Sequence, residues 1–363
     1  MFFYFILFII TISLFYLANK SRKKENFIFF FSLFAFIPSF IGGMRDTTIG
    51  IDLQTYAIEW FYRAQLSPTF EIYINQIKSP EYGYLLLNYI CSQFGDINLF
   101  FFVCELIKIA LIGLTLKHFN HNIYATLSLF IYMLFAYWLG LSMMRQSIAL
   151  CICFYSLIFF FEKKYIKFIF TCIIAYTFHC SALAILLLLI MDWMRKFKFS
   201  LLINIFLFIF IISKSVSILI YISSIGLVKS NMADLYINSG VDIPRVPVVI
   251  SLFCLIYTYF HIPKKHINNK DFARMHELTR INALYAIFFL LMSSIFEVAF
   301  RIAYYQTFTL MILMSYLFKN GKKNKINKLS LYLYIILFIY LFYVEGKHGL
   351  VGTIPYKSSI LGI

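Results

Sequence analysis

Long apolar runs separated by short clusters of lysine and arginine constrain this chain more than any other feature of its sequence. Many of the runs approach the roughly 20 apolar residues that a transmembrane helix needs. When every basic cluster is placed on the cytoplasmic side, essentially all of the net charge of +16 lies there, as the positive-inside rule requires. The sequence therefore predicts a polytopic, all-α membrane protein. The basic clusters are Lys20–Lys24, Lys163–Lys167, Arg195–Lys198, Lys264–Arg280 and Lys319–Lys328.

The runs predict about 12 transmembrane helices in a single domain over residues 1–363, with both termini outside. Longer outer segments are expected at about 44–80 and 223–244 and in the tail 345–363. The short run Tyr82–Gln93 is predicted to be interfacial or re-entrant, because a span there would turn every later basic cluster outward. The predicted spans are about 2–18, 27–43, 97–117, 123–141, 146–161, 165–179, 181–194, 199–222, 245–262, 281–298, 302–318 and 329–344.

Composition excludes several classes of protein. With 62% hydrophobic and 13% charged residues, the chain has too much apolar surface for a soluble domain. The positive charge lies in short loops between spans, so it indicates contact with anionic membrane lipid and not a nucleic-acid partner. The seven cysteines mostly lie in apolar runs without metal-ligand spacing, and no nucleotide or hydrolase motif is present. We therefore expect no metal and no cofactor.

The segment Gly42–Tyr56 places a dense set of polar groups directly after the second predicted span. Arg45 and Asp46 follow two glycines, and Asp52 and Tyr56 are four residues apart, which puts them on one face of a helix. A second polar site is formed by Arg145 and Gln146, at the start of a span. Arginine binds phosphate through its planar fork, although Arg145 could instead extend to the membrane interface.

Two further polar sites complete the set. His179 lies where the short predicted spans 165–179 and 181–194 meet. Its side chain suits proton transfer near neutral pH, although a structural hydrogen-bonding role is the alternative. Glu297 and Arg301 are four residues apart, as in a helical salt bridge, and Tyr304 follows them. All four sites fall at the same predicted depth, and ionisable groups are costly there unless they face a wet cavity. We therefore expect one outward-opening pocket that binds an anionic lipid headgroup, with a diphosphate as the best fit.

The same residues resemble the EpsG-type branch of the Wzy polysaccharide polymerases. The resemblance rests on Arg45-Asp46 with Gly50-Ile51-Asp52 and Tyr56, on Met144–Ala149, on Phe178–Leu183, and on Arg301, Tyr304 and Ile354-Pro355-Tyr356. It implies a metal-independent, GT-C-like glycosyltransferase that polymerises O-antigen or capsule repeat units. Donor and acceptor would both be undecaprenyl-diphosphate-linked oligosaccharides, used at the periplasmic face of the bacterial inner membrane. A separate chain-length regulator is also implied.

The resemblance also implies roles for individual residues. Arg45, Arg145 and Arg301 would bind the donor diphosphate, and either His179 or Asp52 would act on the acceptor hydroxyl. The remaining substrate-binding residues would be Asp46, Tyr56, Gln146, Glu297 and Tyr304.

Three other functions remain open at this point: an O-antigen ligase, an outer-face O-acyltransferase, and a flippase or other transporter of lipid-linked oligosaccharides.

Overall fold

The computed structural model describes residues 1–197, 202–210, 214, 245–261, 270–349 and 352–362. Within these residues the regular structure is helical throughout, without a strand. Most of the predicted span 199–222 and all of the predicted outer segment 223–244 lie outside the described residues. The first eight helices are α1 Phe2–Lys20, α2 Lys24–Gly43, α3 Ile58–Leu66, α4 Phe70–Ile77, α5 Tyr82–Phe94, α6 Ile97–His118, α7 Ala125–Tyr132 and α8 Trp138–Ser142. These are followed by α9 Met144–Phe161, α10 Tyr165–Tyr176, α11 Leu187–Met194, α12 Arg245–Phe260, α13 Lys270–Met292, α14 Glu297–Asn320 and α15 Lys325–His348. Residues 202–210 are also helical.

The chain divides into two compact units, and the first contains residues Met1–Leu183 and Leu331–Ile363. In this unit α1 packs on α2, α2 on α6, α6 on α9, and α9 on α10. A π-helical segment, Met133–Tyr137, joins α7 to α8, so that Ala125–Ser142 is one continuous apolar stretch. Of the residues in this stretch and in α9, 78% are buried, against 33% of an 18-residue window in α1 and in α2. The α7–α8 stretch and α9 therefore form the centre of the unit.

The second unit contains residues Ala184–Ser330. Here α12, α13 and α14 pack on one another, and α11 packs on α13. A buried ion pair helps to join α11 to α13. Arg274 of α13 donates to both carboxylate oxygens of Asp192 in α11, at 2.9 and 3.2 Å. The division into two units does not test the single-domain prediction, which stays a prediction.

Six helical stretches are long and apolar enough to cross a membrane: α1, α2, α6, Ala125–Ser142, α9 and Lys325–Lys347. Each corresponds to a predicted span. The described residues therefore support a polytopic membrane protein, while the count of twelve spans and the GT-C-like architecture stay predictions. As expected, α5 is too short to cross, and the chain breaks near His179 into α10 and a 3₁₀ helix, Cys180–Leu186, that leads into α11.

One predicted boundary is wrong. Residues 270–280 were assigned to a cytoplasmic loop preceding a span at 281–298, but they form the first part of α13, which ends at Met292. No proline or glycine interrupts this stretch, and lysine, arginine and glutamate are good helix formers, so the helix continues beyond the apolar run. The next helix starts at Glu297 after a turn at 293–296.

The segment between α2 and α6 is mostly helical. A π-helical turn, Leu53–Ala57, leads into α3, and Thr69 caps α4 by accepting a hydrogen bond from the Ile72 amide at 3.3 Å. Side chains from α3, α4 and α5 form a small apolar core with Ala64, Tyr73 and Leu85 at its centre. This core gives the segment a fixed shape of its own.

Candidate active site

The Gly42–Tyr56 segment turns sharply after α2 and packs against the end of α8. Gly50 has a φ of +101°, and a Cβ on it would lie 2.9 Å from the Cα of Ser142. Only glycine combines this conformation with so close an approach. The turn places Asp52 at the start of the following helix, where its Oδ2 accepts a hydrogen bond from the Tyr56 hydroxyl at 3.1 Å. The four-residue spacing in the sequence predicted this shared face.

Arg145 lies in the first turn of α9 and rests on aromatic rings from the 53–66 helical segment. Its guanidinium carbon is 4.0 Å from the centre of the Tyr56 ring and 5.1 Å from that of Trp60. An arginine stacked on an aromatic face gains cation–π stabilisation, and its plane is fixed by the ring. The side chain remains 21% exposed, so a ligand can still reach it.

Glu81 connects Arg145 to His179. One carboxylate oxygen accepts from Arg145 Nη1 at 2.6 Å, and the other is 3.9 Å from His179 Nε2. The Glu81 side chain is only 6% exposed, so this charge-assisted contact is shielded from water and is correspondingly strong. Glu81 was not among the residues selected from the sequence. Its position in the sequence, beside Pro80, does not distinguish it from a glutamate in a surface loop.

The short distance between Glu81 and His179 depends on the packing of α5 against the turn after α10. The Gly83 amide donates to the Thr177 carbonyl at 2.8 Å. A Cβ on Gly83 would lie 2.3 Å from Thr177 Oγ1, so a larger residue would push the two segments apart. This contact brings the carboxylate at the start of α5 close to the histidine.

The hydrogen bonds of His179 indicate which ring nitrogen carries the proton. The backbone N–H of Ser181 donates to Nδ1 at 3.2 Å, and the Ser181 hydroxyl lies 2.6 Å from the same atom. Because a backbone N–H can only donate, Nδ1 is an acceptor, and the neutral ring carries its proton on Nε2. Nε2 is the nitrogen near Glu81, so the neutral imidazole presents a donor on that side.

These contacts define one site in the first unit, which we call the Arg145 cluster: Asp52, Tyr56, Trp60, Glu81, Arg145 and His179. Burial raises the pKa of the Tyr56 hydroxyl above its ordinary value of 10, and the nearby positive charge of Arg145 only partly opposes this shift. Tyr56 therefore remains a neutral donor to Asp52 at physiological pH. The cluster combines a partly exposed guanidinium, two carboxylates and an imidazole, which are groups that can bind a phosphate and exchange protons.

Arg45 lies in a different set of contacts, the Arg45 cluster, formed by Arg45, Glu105 and Lys108. Arg45 is 1% exposed, donates to the carbonyls of Gly42 and Leu141, and stacks on Phe101. Lys108 donates to Glu105, three residues earlier on the same helix, at 2.6 Å. The role of Arg45 in diphosphate binding stays a prediction.

Asp46 holds the C-terminal tail. Its Oδ1 accepts from the backbone amide and the hydroxyl of Ser359, at 2.7 and 2.9 Å. The Tyr356 hydroxyl donates to the Ile41 carbonyl at 2.6 Å, and the Gly50 amide donates to the Gly352 carbonyl at 3.0 Å. The tail therefore packs along the Gly42–Asp52 turn and supports the segment that carries Asp52.

The remaining predicted residues are placed as follows. Gln146 is buried on α9 beside Arg145. Glu297, Arg301 and Tyr304 lie on α14 in the second unit. Arg301 pairs with Glu297 at 2.6 Å, which confirms the helical salt bridge, and Tyr304 packs edge-on against Phe300. The structure thus brings together Asp52, Tyr56, Arg145 and His179, whereas the convergence of the α14 residues with them stays a prediction.

Glu81, His179 and Cys180 form the group of described residues whose geometry could hold a metal ion. Their ligand atoms all lie within 4.8 Å of one another. The Glu81 carboxylate already contacts Arg145, whose positive charge opposes a second cation at that position. The charge of Arg145 therefore disfavours a metal ion on the Glu81 carboxylate.

Comparison with known proteins identifies a family for this chain. The sequence model of the EpsG family matches residues 28–358. This range includes all the residues of the Arg145 cluster, and it ends one residue before Ser359, which contacts Asp46. Searches among characterised proteins and among solved structures found no match. Since the family match covers nearly the whole chain, the protein belongs to the EpsG family of Wzy-like, polysaccharide-polymerase-type membrane proteins.

Proposed function

We propose that this protein is a metal-independent glycosyltransferase of the bacterial inner membrane. It transfers a growing glycan from undecaprenyl diphosphate onto a new lipid-linked repeat unit at the periplasmic face. The observation that carries this proposal is the position of Arg145: its guanidinium is stacked on Tyr56, fixed by Glu81, and still partly exposed. Such a fixed and accessible cation suits a diphosphate.

The position of Arg145 on its helix strengthens the proposal. Arg145 lies in the first turn of α9, an 18-residue helix. The start of a helix carries a partial positive charge and backbone N–H groups that lack partners within the helix. Both features favour a phosphate at that end. The helix and the arginine therefore attract the same anion, and both would stabilise the charge on the departing diphosphate.

The reaction we propose is a single displacement at the anomeric carbon of the donor glycan. The acceptor hydroxyl oxygen forms a bond to this carbon, and the bond from the carbon to the diphosphate oxygen breaks. The bonding electrons leave with undecaprenyl diphosphate, and the acceptor proton passes to a base. The leaving group is already a stable anion, so electrostatic stabilisation contributes most and no metal is required.

Of the two residues expected to be the base, the geometry favours Asp52. The neutral His179 ring carries its proton on Nε2, because Nδ1 accepts from the Ser181 amide, so the side facing Glu81 is a donor. We propose that His179 hydrogen-bonds a diphosphate oxygen. The Tyr56 hydroxyl donates to Asp52 Oδ2 at 3.1 Å and so orients the Asp52 carboxylate.

The other predicted residues remain part of the proposal. Arg301 and Arg45 would add positive charge for the diphosphate. Gln146, Asp46, Glu297 and Tyr304 would line or support the groove for the glycan and its lipid.

The substitution Arg145→Gln tests the proposal, because it keeps hydrogen-bonding capacity but removes the charge. We expect at least a 100-fold lower rate of chain extension by the purified protein in liposomes, measured with lipid-linked repeat units. Arg63→Gln, in an exposed pair with Glu59, should extend chains normally, and EDTA should leave the native rate unchanged. Normal extension by Arg145→Gln, at equal protein level, would refute the proposal.

Analysis of the cell surface separates this function from that of a ligase. A cell with the inactive polymerase should display single repeat units on its outer lipid, whereas a cell lacking a ligase displays none. Translocation of lipid-linked oligosaccharide by the purified protein, without formation of a glycosidic bond, would instead identify a transporter.

A further inference from the structure

An open cleft with a volume of about 270 Å³ lies beside the Arg145 cluster, in the segment between α4 and α5. Its lining comes from the end of α4, the connecting loop and the first residue of α5. The lining residues are Ile74, Asn75, Lys78, Ser79, Pro80 and Tyr82. All of them belong to the first unit. Resting on the proposed function, we infer that this cleft is a glycan subsite that binds one or two sugar rings of the lipid-linked oligosaccharide.

The side chains in the cleft have unused binding capacity. Tyr82 is 55% exposed, so the face of its ring is available to a ligand. Lys78 forms no ion pair with any described residue, and the Asn75 side chain forms no hydrogen bond with one. An aromatic face can pack against the C–H face of a sugar, and ammonium and amide groups donate hydrogen bonds to its oxygens.

The backbone of the cleft is held in a fixed shape. Lys78 ends α4 in the left-handed conformation, with a φ of 55°, which is uncommon for a residue other than glycine, asparagine or aspartate. The Glu81 amide donates to the Ser79 hydroxyl at 3.3 Å. Ile74 packs on the small apolar core at whose edge Trp60 also lies. A site fixed in advance loses less entropy on binding.

The cleft and the Arg145 cluster adjoin through two residues. Glu81 lies between Pro80 and Tyr82 in the sequence, and consecutive Cα atoms are about 3.8 Å apart. Its carboxylate contacts Arg145. Trp60 contacts both the apolar core beneath the cleft and the Arg145 guanidinium. A sugar in the cleft would therefore lie next to a diphosphate held by Arg145, as a sugar close to its own diphosphate must.

The size of the cleft limits the ligand. Pockets for small molecules usually measure about 300–1,000 Å³, and this one falls just below that range. It accommodates one or two rings and leaves the rest of a long glycan in solvent. Such a subsite recognises the sugars near the reducing end, independently of chain length.

Binding of the free sugar tests the subsite separately from catalysis. The probe is the single repeat unit released by mild acid from the lipid-linked precursor of the producing cells, and its affinity for the purified full-length protein is measured by calorimetry. We expect Tyr82→Ala and Asn75→Ala each to weaken binding at least tenfold. Tyr62→Ala, which removes another exposed tyrosine (51%) from the same segment, should bind like the native protein.

Kinetics give a second readout. Tyr82→Ala should raise KM for the lipid-linked repeat unit about tenfold with little change in kcat, as expected when binding energy shared by ground state and transition state is lost. Thermal unfolding checks that the variants fold. Native affinity in both Tyr82→Ala and Asn75→Ala would overturn the subsite.

Arg145→Gln distinguishes failure of this inference from failure of the proposed function. Because the free repeat unit has no diphosphate, this variant should bind it with native affinity while it fails to extend chains. Loss of free-sugar binding in Arg145→Gln, together with native binding in Tyr82→Ala, would place the sugar elsewhere and overturn the subsite. Normal chain extension by Arg145→Gln would overturn the proposed function, and the free-sugar affinities would still decide the subsite.

Discussion

Glu81 holds two functional groups of the Arg145 cluster at a fixed separation. Each of its carboxylate oxygens faces a different partner, Arg145 at 2.6 Å and His179 at 3.9 Å. It is buried, and a buried carboxylate is costly unless a cation pairs with it. Glu81 is therefore a positioning residue, whose effect on the reaction passes through Arg145 and His179.

Glu81→Gln should lower kcat for chain extension about 100-fold, since a displacement of roughly 1 Å in a reacting group can cost that much. The amide retains the shape of the side chain but loses the charge that orients the guanidinium. Initial rates and KM on lipid-linked repeat units provide the measurement. Glu81→Asp should recover part of the rate, because the charge returns. Glu59→Gln, in an exposed pair, serves as the matched control. An unchanged kcat in Glu81→Gln would show that Arg145 needs no such support.

Asp52 and Tyr56 provide a second prediction at the residue scale. Asp52→Asn should reduce chain extension at least 100-fold if this carboxylate is the base. Tyr56→Phe keeps the ring beneath Arg145 and loses only the hydrogen bond to Asp52, so a reduction below about tenfold is expected. Extension rates at a common pH compare the two variants. A rate in Asp52→Asn close to that of the native protein would return the role of base to His179.

At the scale of helices, the Arg45 cluster joins α2, α6 and the end of α8. Lys108 and Arg45 donate to the carbonyls of Gly140 and Leu141, near the end of α8, where helix carbonyls lack partners within the helix. Positive groups are also favoured at that end by the helix dipole. Glu105 supplies the negative charge between them, at 2.6 Å from Lys108 and 3.9 Å from Arg45.

Glu105→Gln should destabilise the protein by about 3–5 kcal/mol, because it leaves two buried cations without their counter-charge. The double variant Glu105→Gln/Lys108→Met should recover part of this loss, since one of the two cations is then absent. The unfolding temperatures of the native protein and of these two variants are measured in detergent. The single variant Lys108→Met is measured as well, because it completes the double-mutant cycle. If Glu105→Gln unfolds at the same temperature as the native protein, the Arg45 cluster does not stabilise the packing of these helices.

At the scale of the whole molecule, the charge pattern predicts which side of the membrane carries the site. The segment containing Asp52 and Glu81 should face the periplasm, and the turn Glu162–Lys164 should face the cytoplasm. Gln65→Cys and Lys163→Cys report these two positions, and both side chains are exposed. They are introduced into a Cys180→Ser background, because the other six cysteines are buried.

A membrane-impermeant maleimide should label Gln65→Cys in intact spheroplasts and Lys163→Cys only after permeabilisation. The background protein, which lacks both new cysteines, sets the level of nonspecific labelling. The reverse pattern would invert the topology and place the Arg145 cluster in the cytoplasm, where the proposed periplasmic reaction does not occur.

The sequence by itself determined the class of fold and several local features. Runs of apolar residues must be covered by lipid or protein, so they revealed the helices of the six candidate spans. Fixed helical spacing linked Asp52 to Tyr56 and Glu297 to Arg301. These relations are local, because the 3.6-residue period of a helix sets them within one turn. The boundary of α13 was missed because hydropathy reports the apolar part of a helix and not its charged extension.

Only the tertiary structure decided which distant residues meet. Glu81 was overlooked because an isolated glutamate beside a proline has no pattern that distinguishes it from a surface loop. Its partners are 64 and 98 positions away, at Arg145 and His179. Arg45 and Arg145 had the same sequence signal, an arginine at the edge of an apolar run. Packing buried the first among α2, α6 and α8 and left the second partly exposed on aromatic rings. Contacts between distant segments depend on how helices pack and not on local spacing, and packing therefore gave the two arginines different surroundings.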